Sequence, residues 1–289
     1  MKIILNSILC DPEDKSELKN ENGLLTSASG NQYKLKDGVY DLLPPTSETY
    51  HEHYTKDAEL FDYFATSPDK AQIHDDHRLR QMICSSLPNK VGNLLDIGSG
   101  AGWVADYLSE RAETITFTDI SDVNLYKLRA KYKDSDKYNY VRCDALNLPF
   151  KPKSFDCIIA SEVIEHTLEP RKFIKELFEL LKPNGVLIIT TPYKEKLQFY
   201  LCVHCNKPTP RNAHLHSFSE DFFFRTAEEI ESCSLEYNIF GNKLLIFGRT
   251  HYVLRYLPLL AWRIIDSLFG IIVNKNAHIL LSFKKNEGK

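Results

Sequence analysis

The chain of 289 residues is 43% hydrophobic and 26% charged, enough apolar side chain to bury a substantial core in one enlarged domain or two modest ones. Its 36 basic residues oppose 39 acidic ones, and the formal charge of -3 supplies no global field to draw in nucleic acid. The seven cysteines, an odd count scattered over a long chain, read as reduced thiols, some of them candidate metal ligands.

The N-terminus MKIILNSILCDPEDK holds a short apolar run that meets Asp11 and Glu13 almost at once. That is too short for a secretory signal, so a cytoplasmic protein is expected. Residues 1–45 alternate short β-like runs, Leu24–Thr26 and Tyr33–Leu35, with the turn signals NENG, ASGN and KDG, which predicts a small β-rich unit ending at LLPP. Residues 46–90 are polar and aromatic, including YHEHY and HDDHRLRQMICSSL. Their helical spacing is strongest over Asp75–Leu87 and predicts a lead-in helix. From residue 91 to 289 short apolar strands alternate with amphipathic segments: NLLDI, VADYLSER, TITFTDI, VNLYKLRAKYK, YNYVRCD, FDCIIAS, PRKFIKELFELLK and GVLIITTP. This order predicts a doubly wound α/β domain, a parallel sheet with helices on both faces, carrying an insert around 194–218.

The stretch LLDIGSGAGW places Gly98, Gly100 and Gly102 directly after the first of these strands. In such sheets ligands bind outside the carboxyl ends of the strands, and a loop without Cβ atoms lets backbone amides touch the ligand. The G-x-G-x-G spacing lacks the third glycine of the dinucleotide fingerprint, since Trp103 stands there, and it lacks the Gly-Lys-Ser/Thr ending of a phosphate loop. A turn that merely packs helix against strand is the structural alternative. The second and third strands also end in carboxylates, Asp119 and Asp144. The first is placed to accept from ribose hydroxyls and the second from an exocyclic amine, although either alone could be a turn former.

The ordered set LLDIGSGAGW, FTDIS, CDALNLPF, SFDCIIASEVIEH and LKPNGVLIITTP resembles the class I S-adenosylmethionine-dependent methyltransferases, in the branch of ubiquinone-pathway and other small-molecule enzymes, over about residues 90–230. The resemblance implies a mostly parallel seven-stranded sheet with one antiparallel edge strand. It also implies S-adenosylmethionine as cofactor, with Asp96, Gly98, Ser99, Gly100 and Gly102 at its methionine end, Asp119 and Ile120 at the ribose, Asp144 and Ala145 at the adenine, and Ser161 nearby. The unit at 1–45 is similar to a zinc ribbon fused ahead of some methyltransferases. Only Cys10 of its cysteines is present, with Glu13, Ser27 and Gly30 at the other positions, so a packing cap or a protein-docking surface is expected in place of a metal site.

After the fourth strand, a helical turn would put Glu162, Glu165 and His166 on one face. This E-x-x-E-H pattern resembles the divalent-ion set of small-RNA 3′-end 2′-O-methyltransferases and of ubiquinone-pathway catechol O-methyltransferases, where magnesium or manganese would activate the acceptor hydroxyl. Many metal-free relatives carry it too, with the His positional or serving as a general base; His166 and Glu162 are the candidate catalytic residues. Further on, Cys202 and Cys205 followed by His214 and His216 offer ligand types for structural zinc, the alternative being ordinary thiols and a loop-anchoring histidine. LRYLPLLAWRIIDSLFGIIV at 254–273 is interrupted by Arg255, Pro258, Arg263 and Asp266. It predicts a helix covering the sheet or a peripheral membrane contact, not a span.

The expected activity is therefore methyl transfer to an oxygen of a small-molecule acceptor. An inactive cofactor-binding scaffold and an RNA-end methyltransferase remain the alternatives, although no basic and aromatic stripe points to nucleic acid.

Overall fold

A computed structural model describes residues 2–44, 56, 59–132 and 135–287. The YHEHY run, Tyr50–Tyr54, lies outside the described residues. Helix α1 (Lys2–Ile8) precedes four short strands, β1 (Lys19–Glu21), β2 (Leu24–Thr26), β3 (Gln32–Lys36) and β4 (Val39–Asp41). The main alternation runs α2 (Lys70–Ser85), β5 (Val91–Ile97), α3 (Trp103–Leu108), β6 (Ala112–Asp119), α4 (Asp122–Tyr132), β7 (Tyr138–Arg142), β8 (Phe155–Ser161), α5 (Pro170–Leu180) and β9 (Leu181–Pro192). It closes with the hairpin β10 (Phe199–Leu201) and β11 (Pro208–Pro210), then α6 (Glu220–Glu228), β12 (Cys233–Asn242), α7 (Lys243–Phe247), α8 (His251–Leu254), α9 (Leu259–Ile272) and β13 (Asn276–Lys285).

Among the described residues one sheet takes the order β1-β2-β3-β4-β7-β6-β5-β8-β9-β13-β12. Strands β5 to β9 are parallel, while β13 runs antiparallel to both β9 and β12. The doubly wound architecture expected from the sequence is present, with its antiparallel strand inside the sheet and β12 outermost. Strand β5 (VGNLLDI) is apolar on both faces because both are covered. Leu95 and Ile97 join Ile158, Phe173 and Leu177 on one side. Leu94 joins Ile115, Phe117, Val104 and Ile83 on the other. Helix α5 starts with Pro170 in its first turn and buries Phe173, Ile174, Leu177 and Phe178, the spacing of one helical stripe. Helix α2 begins five residues before the predicted Asp75, where the Asp69 carboxylate accepts the Ala71 N–H at 2.8 Å as an N-cap.

The expected small β-rich unit is present in residues 2–44 and is joined to the main sheet: β4 pairs in parallel with β7, Val39 opposite Tyr140, and Leu5, Leu9, Leu25 and Leu42 share the core of Leu146 and Phe150. By contrast, the segment after β8 makes only one 3-10 turn, Ile164–His166, in place of an α-helical start.

In the N-terminal unit, hydrogen bonds stand where a ribbon would hold metal. The buried Asp11 carboxylate accepts from the Glu13 N–H at 2.7 Å, Asn31 Nδ2 at 3.0 Å and Tyr33 Oη at 3.3 Å. Asn31 also donates to Glu13 at 2.9 Å, and its amide donates to Ser27 Oγ at 3.1 Å. Cys10 is buried, and burial pushes its thiol pKa up. Asp11→Ala leaves the buried Tyr33 hydroxyl and two part-buried N–H donors unpaired and should lower stability by roughly 3 kcal/mol, read as a lower urea midpoint at unchanged slope. A midpoint equal to wild type would show that this knot does not fold with the sheet.

Candidate active site

The chain winds outward from β5 through β6 to β7, then returns to β8 on the other side of β5. The crevice at that reversal is where open α/β sheets bind ligands. Its two walls are the glycine loop after β5 and the segment after β8. At Gly98, with φ of 66°, a Cβ would lie 2.8 Å from Val163 Cγ2 of the opposite wall. Glycine there lets the two loops meet. Gly102 has a different reason: a Cβ would overlap the Leu128 methyl of α4, so this glycine serves helix packing. At Gly100 a Cβ would face open space, with Tyr63 3.9 Å away.

Asp96 is buried at the crevice floor, and its Oδ2 has no hydrogen-bond partner in the protein. Burial pushes its pKa up to about 8, with Ser99 opposing and the Asp119 charge assisting. Such an atom is costly unless a ligand donor meets it. Ser99 works differently from its expected role, because its hydroxyl donates to the Asp96 and Thr118 carbonyls at 3.0 and 3.2 Å. It braces the loop instead of facing the crevice.

Asp119 accepts the Gly100 N–H at 3.1 Å and the Ser121 N–H at 2.9 Å. Burial raises its pKa against those bonds. The next residue, Ile120, offers its carbonyl to Arg142 Nε at 3.0 Å. Asp144 accepts the Leu146 N–H at 2.9 Å and Asn147 Nδ2 at 3.4 Å, so its carboxylate shapes its own turn beside the half-buried Ala145. The Ser161 hydroxyl meets Thr190 Oγ1 at 3.0 Å.

Across the crevice, Glu162 adopts φ of 56° and precedes the 3-10 turn, so it does not share a face with Glu165 and His166 as predicted. Its Oε1 is buried without a hydrogen-bond partner, and burial raises its pKa while the nearby His278 charge lowers it. His278, on β13, holds Asp75 Oδ2 of α2 at 2.9 Å. Burial disfavours its charge, but Asp75 and Glu162 lift its pKa to about 9.

The third member of the cluster comes from the insert. Glu165, His166 and His214 present ligand atoms that all lie within 4.8 Å of one another. Glu165 is buried, accepts from Thr191 Oγ1 at 3.0 Å, and is driven well up in pKa by burial and by Glu162. His166 Nδ1 lies 3.3 Å from the Ala213 carbonyl, and His214 Nδ1 lies 2.6 Å from Glu195 Oε2. An imidazole donating Nδ1–H to such a partner keeps its lone pair on Nε2, the arrangement of oriented metal ligands.

The Cys202, Cys205, His214 and His216 set is not assembled. The two cysteines sit at the tip of the β10–β11 hairpin, where Cys202 N–H donates to Lys207 O at 3.0 Å. His216 Nε2 lies 3.0 Å from the Thr167 carbonyl and its ring leans at a tilt against Phe218, so it anchors the loop. Among the described residues no group of three metal-ligating side chains includes the cysteines. Sequence reasoning missed Glu195, Asp75 and His278. The HDDH run at 74–77 is a local signal for Asp75 alone.

A methyltransferase-domain family model matches residues 95–189. The chain is 30% identical over 187 residues to a ubiquinone biosynthesis O-methyltransferase of Bradyrhizobium diazoefficiens, covering 61% of this chain and 70% of that one. It is 32% identical over 96 residues to a demethylmenaquinone methyltransferase of Clavibacter sepedonicus, covering 33% of this chain and 39% of that one. For two further relatives it spans 49% and 54% of their length. An S-adenosylmethionine-dependent methyltransferase structure from Mesorhizobium loti superposes with a TM-score of 0.53 at 16% identity, over 73% of this chain and 99% of that one, which shows the shared fold. The chain belongs to the class I S-adenosylmethionine-dependent methyltransferases.

Two outcomes follow. Asp96 has its folded pKa raised from 3.8 to about 8, so its contribution to stability is full below about pH 4 and is lost as pH rises towards 8. Asp96→Asn should therefore gain melting temperature over wild type progressively across that window in ligand-free protein. A constant difference would show Asp96 solvated. Asp119→Ala removes the acceptor at the end of β6 and should weaken S-adenosylmethionine binding by about 2–3 kcal/mol in calorimetric titration; unchanged affinity would place the ligand away from β6.

Proposed function

We propose that this chain transfers a methyl group from S-adenosylmethionine to an oxygen of a small-molecule acceptor bearing adjacent hydroxyls, aided by a divalent ion held by Glu165, His166 and His214. The observation that carries the reading is the convergence of those three side chains, each with an orienting partner, at the crevice between β5 and β8. The relatives named for O-methylation in ubiquinone biosynthesis support oxygen as the acceptor atom.

The residues fit the cofactor chemically. The partnerless Asp96 oxygen suits a cationic amine, the open side of Gly100 admits a ligand against the backbone, and the Asp119 carboxylate stands where ribose hydroxyls would donate. S-adenosylmethionine supplies a methyl group on a sulfonium: the carbon–sulfur bond breaks with its electron pair left on sulfur as a neutral thioether, while an acceptor oxygen lone pair forms the new bond to carbon. The acceptor proton has a nearby destination in Glu162, whose buried carboxylate is backed by the His278–Asp75 pair. One carboxylate and two imidazoles suit manganese, cobalt or zinc better than magnesium, which favours oxygen ligands. Such an ion supplies Lewis acidity toward paired acceptor oxygens. His214 is held by Glu195 and Glu165 by Thr191, so the ligands are pre-aimed.

Turnover of a catechol acceptor should fall about 100-fold or more with chelator and recover with manganese, cobalt or zinc. Glu165→Gln and His214→Ala should do the same while leaving S-adenosylmethionine affinity within roughly threefold, because the ion acts on the acceptor. Cys202→Ser/Cys205→Ser should keep both activity and metal content. Activity untouched by chelator, with loss only in His166→Ala, would overturn the ion and leave His166 as a base.

A further inference from the structure

The crossing from β12 to β13, residues 243–275, holds an apolar surface that faces outward. Helix α9 is apolar on two sides. Trp262, Ile265 and Phe269 pack inward with the buried Asp266, on β12 and α2. Leu260, Ile264, Leu268 and Ile271 form a second stripe, exposed by 70%, 55%, 55% and 82%. Phe247 of α7 and Tyr256 after α8 extend that surface, exposed by 80% and 73%. A helix with an apolar stripe on its outer side as well as its inner one is normally covered by something.

Charge identifies the cover. Residues 243–275 carry five basic side chains, Lys243, Arg249, Arg255, Arg263 and Lys275, against one acid, Asp266. That acid is buried and accepts the Gly241 and Asn242 amides at 3.0 and 2.7 Å. The outer face is thus apolar and positive within a chain of net charge -3. A second copy seated on the same patch would set positive against positive, since a two-fold interface is self-complementary. An anionic bilayer meets both the apolar stripe and the charge. Helix α9 has 14 residues, about 21 Å, and among the described residues no helix is long and apolar enough to cross a membrane. A helix of this length lies in the surface plane.

The position of the surface gives it a use. Asn242 ends β12 opposite Asn276 of β13, and His278 pairs with Pro192 at the end of β9. The crossing therefore rises from the carboxyl edge of the sheet, the edge that carries Gly98 and Glu162. We propose that α7–α9 dock this protein on an anionic lipid bilayer, with the candidate active-site edge turned toward the lipid. Docking stands independently of methyl transfer.

Flotation of the full chain with phosphatidylcholine vesicles, with and without half phosphatidylglycerol, tests this. Binding is expected to the anionic vesicles only and to weaken in high salt. Ile264→Asp/Ile271→Asp should abolish it, and Arg249→Glu/Arg255→Glu/Arg263→Glu should reduce it on the order of 100-fold. Both variants should retain the wild-type melting temperature and S-adenosylmethionine affinity, because the changed side chains face outward. Absence of binding to anionic vesicles, or equal binding to pure phosphatidylcholine, overturns the proposal. So does a lipid-free dimer, seen by sedimentation, that Ile264→Asp/Ile271→Asp dissolves.

Discussion

The approach of Gly98 to Val163 is the constraint around which the site is arranged. The chain leaves β5 in one direction and β8 in the other, so the loops after these strands face each other across the reversal with no strand between them. Any side chain at 98 would hold them apart, because the Val163 methyl already lies 2.8 Å from where a Cβ would be. Closing that gap brings the partnerless Oδ2 of Asp96, at the floor, and Glu162, on the wall after β8, into one crevice. It also sets the 3-10 turn, which carries Glu165 and His166, and the Glu165 carbonyl then takes the Leu215 N–H at 2.8 Å. Through that bond the insert bearing His214 is drawn onto the site.

The N-terminal strands bear on the same crevice from the other end of the sheet. Arg142 at the end of β7 pairs with Asp41 of β4 at 3.2 Å and donates to the Ile120 carbonyl at 3.0 Å. One guanidinium thus ties the added strands to the loop that follows Asp119. As an isolated ion pair it would be worth little; its geometric effect is to fix where the β6 loop turns. The extension also removes β7 from the sheet edge. It leaves β1 outermost, with Lys19, Asn20 and Glu21 all exposed, and charge on an edge strand discourages pairing with other chains. Pairing along that edge gives residues 2–44 the packing role that their sequence offered beside a docking one.

What was legible in the sequence was local. Strand and helix alternation, the glycine loop and the acidic strand ends at 96, 119 and 144 all follow from short-range pattern, and neighbouring parallel strands carry them to one edge in order. The sequence spacing groups Glu162 with Glu165 and His166 only on an α-helix, and a left-handed residue followed by a 3-10 turn breaks those i, i+3 and i, i+4 relations. The expected zinc set does not assemble for a related reason. Cys202 and His214 are close in sequence, but a hairpin separates them, and His214 turns to Glu195 and to His166, whose ring centroid is 4.9 Å from its own. Nothing local could pair Asp75 with His278, 203 residues apart.

These long-range contacts share an electrostatic purpose. Asp96, Glu162 and Glu165 are all shifted up in pKa by burial, which means that the ligand-free fold holds carboxyl groups where it would be more stable with apolar ones. Hydrogen bonds from Ser99 and Thr191 partly offset Asp96 and Glu165, while Glu162 faces a cation of the protein itself, the His278 imidazolium. Asp96 keeps one oxygen unmet at the cofactor end, and Glu165 sits beside two imidazoles, where the proposed ion would offset it. A site tuned in this way binds its ligands partly by relieving its own cost, so occupancy and stability rise together. It is also selective, because a neutral analogue of the same shape would leave the carboxyls buried and uncompensated.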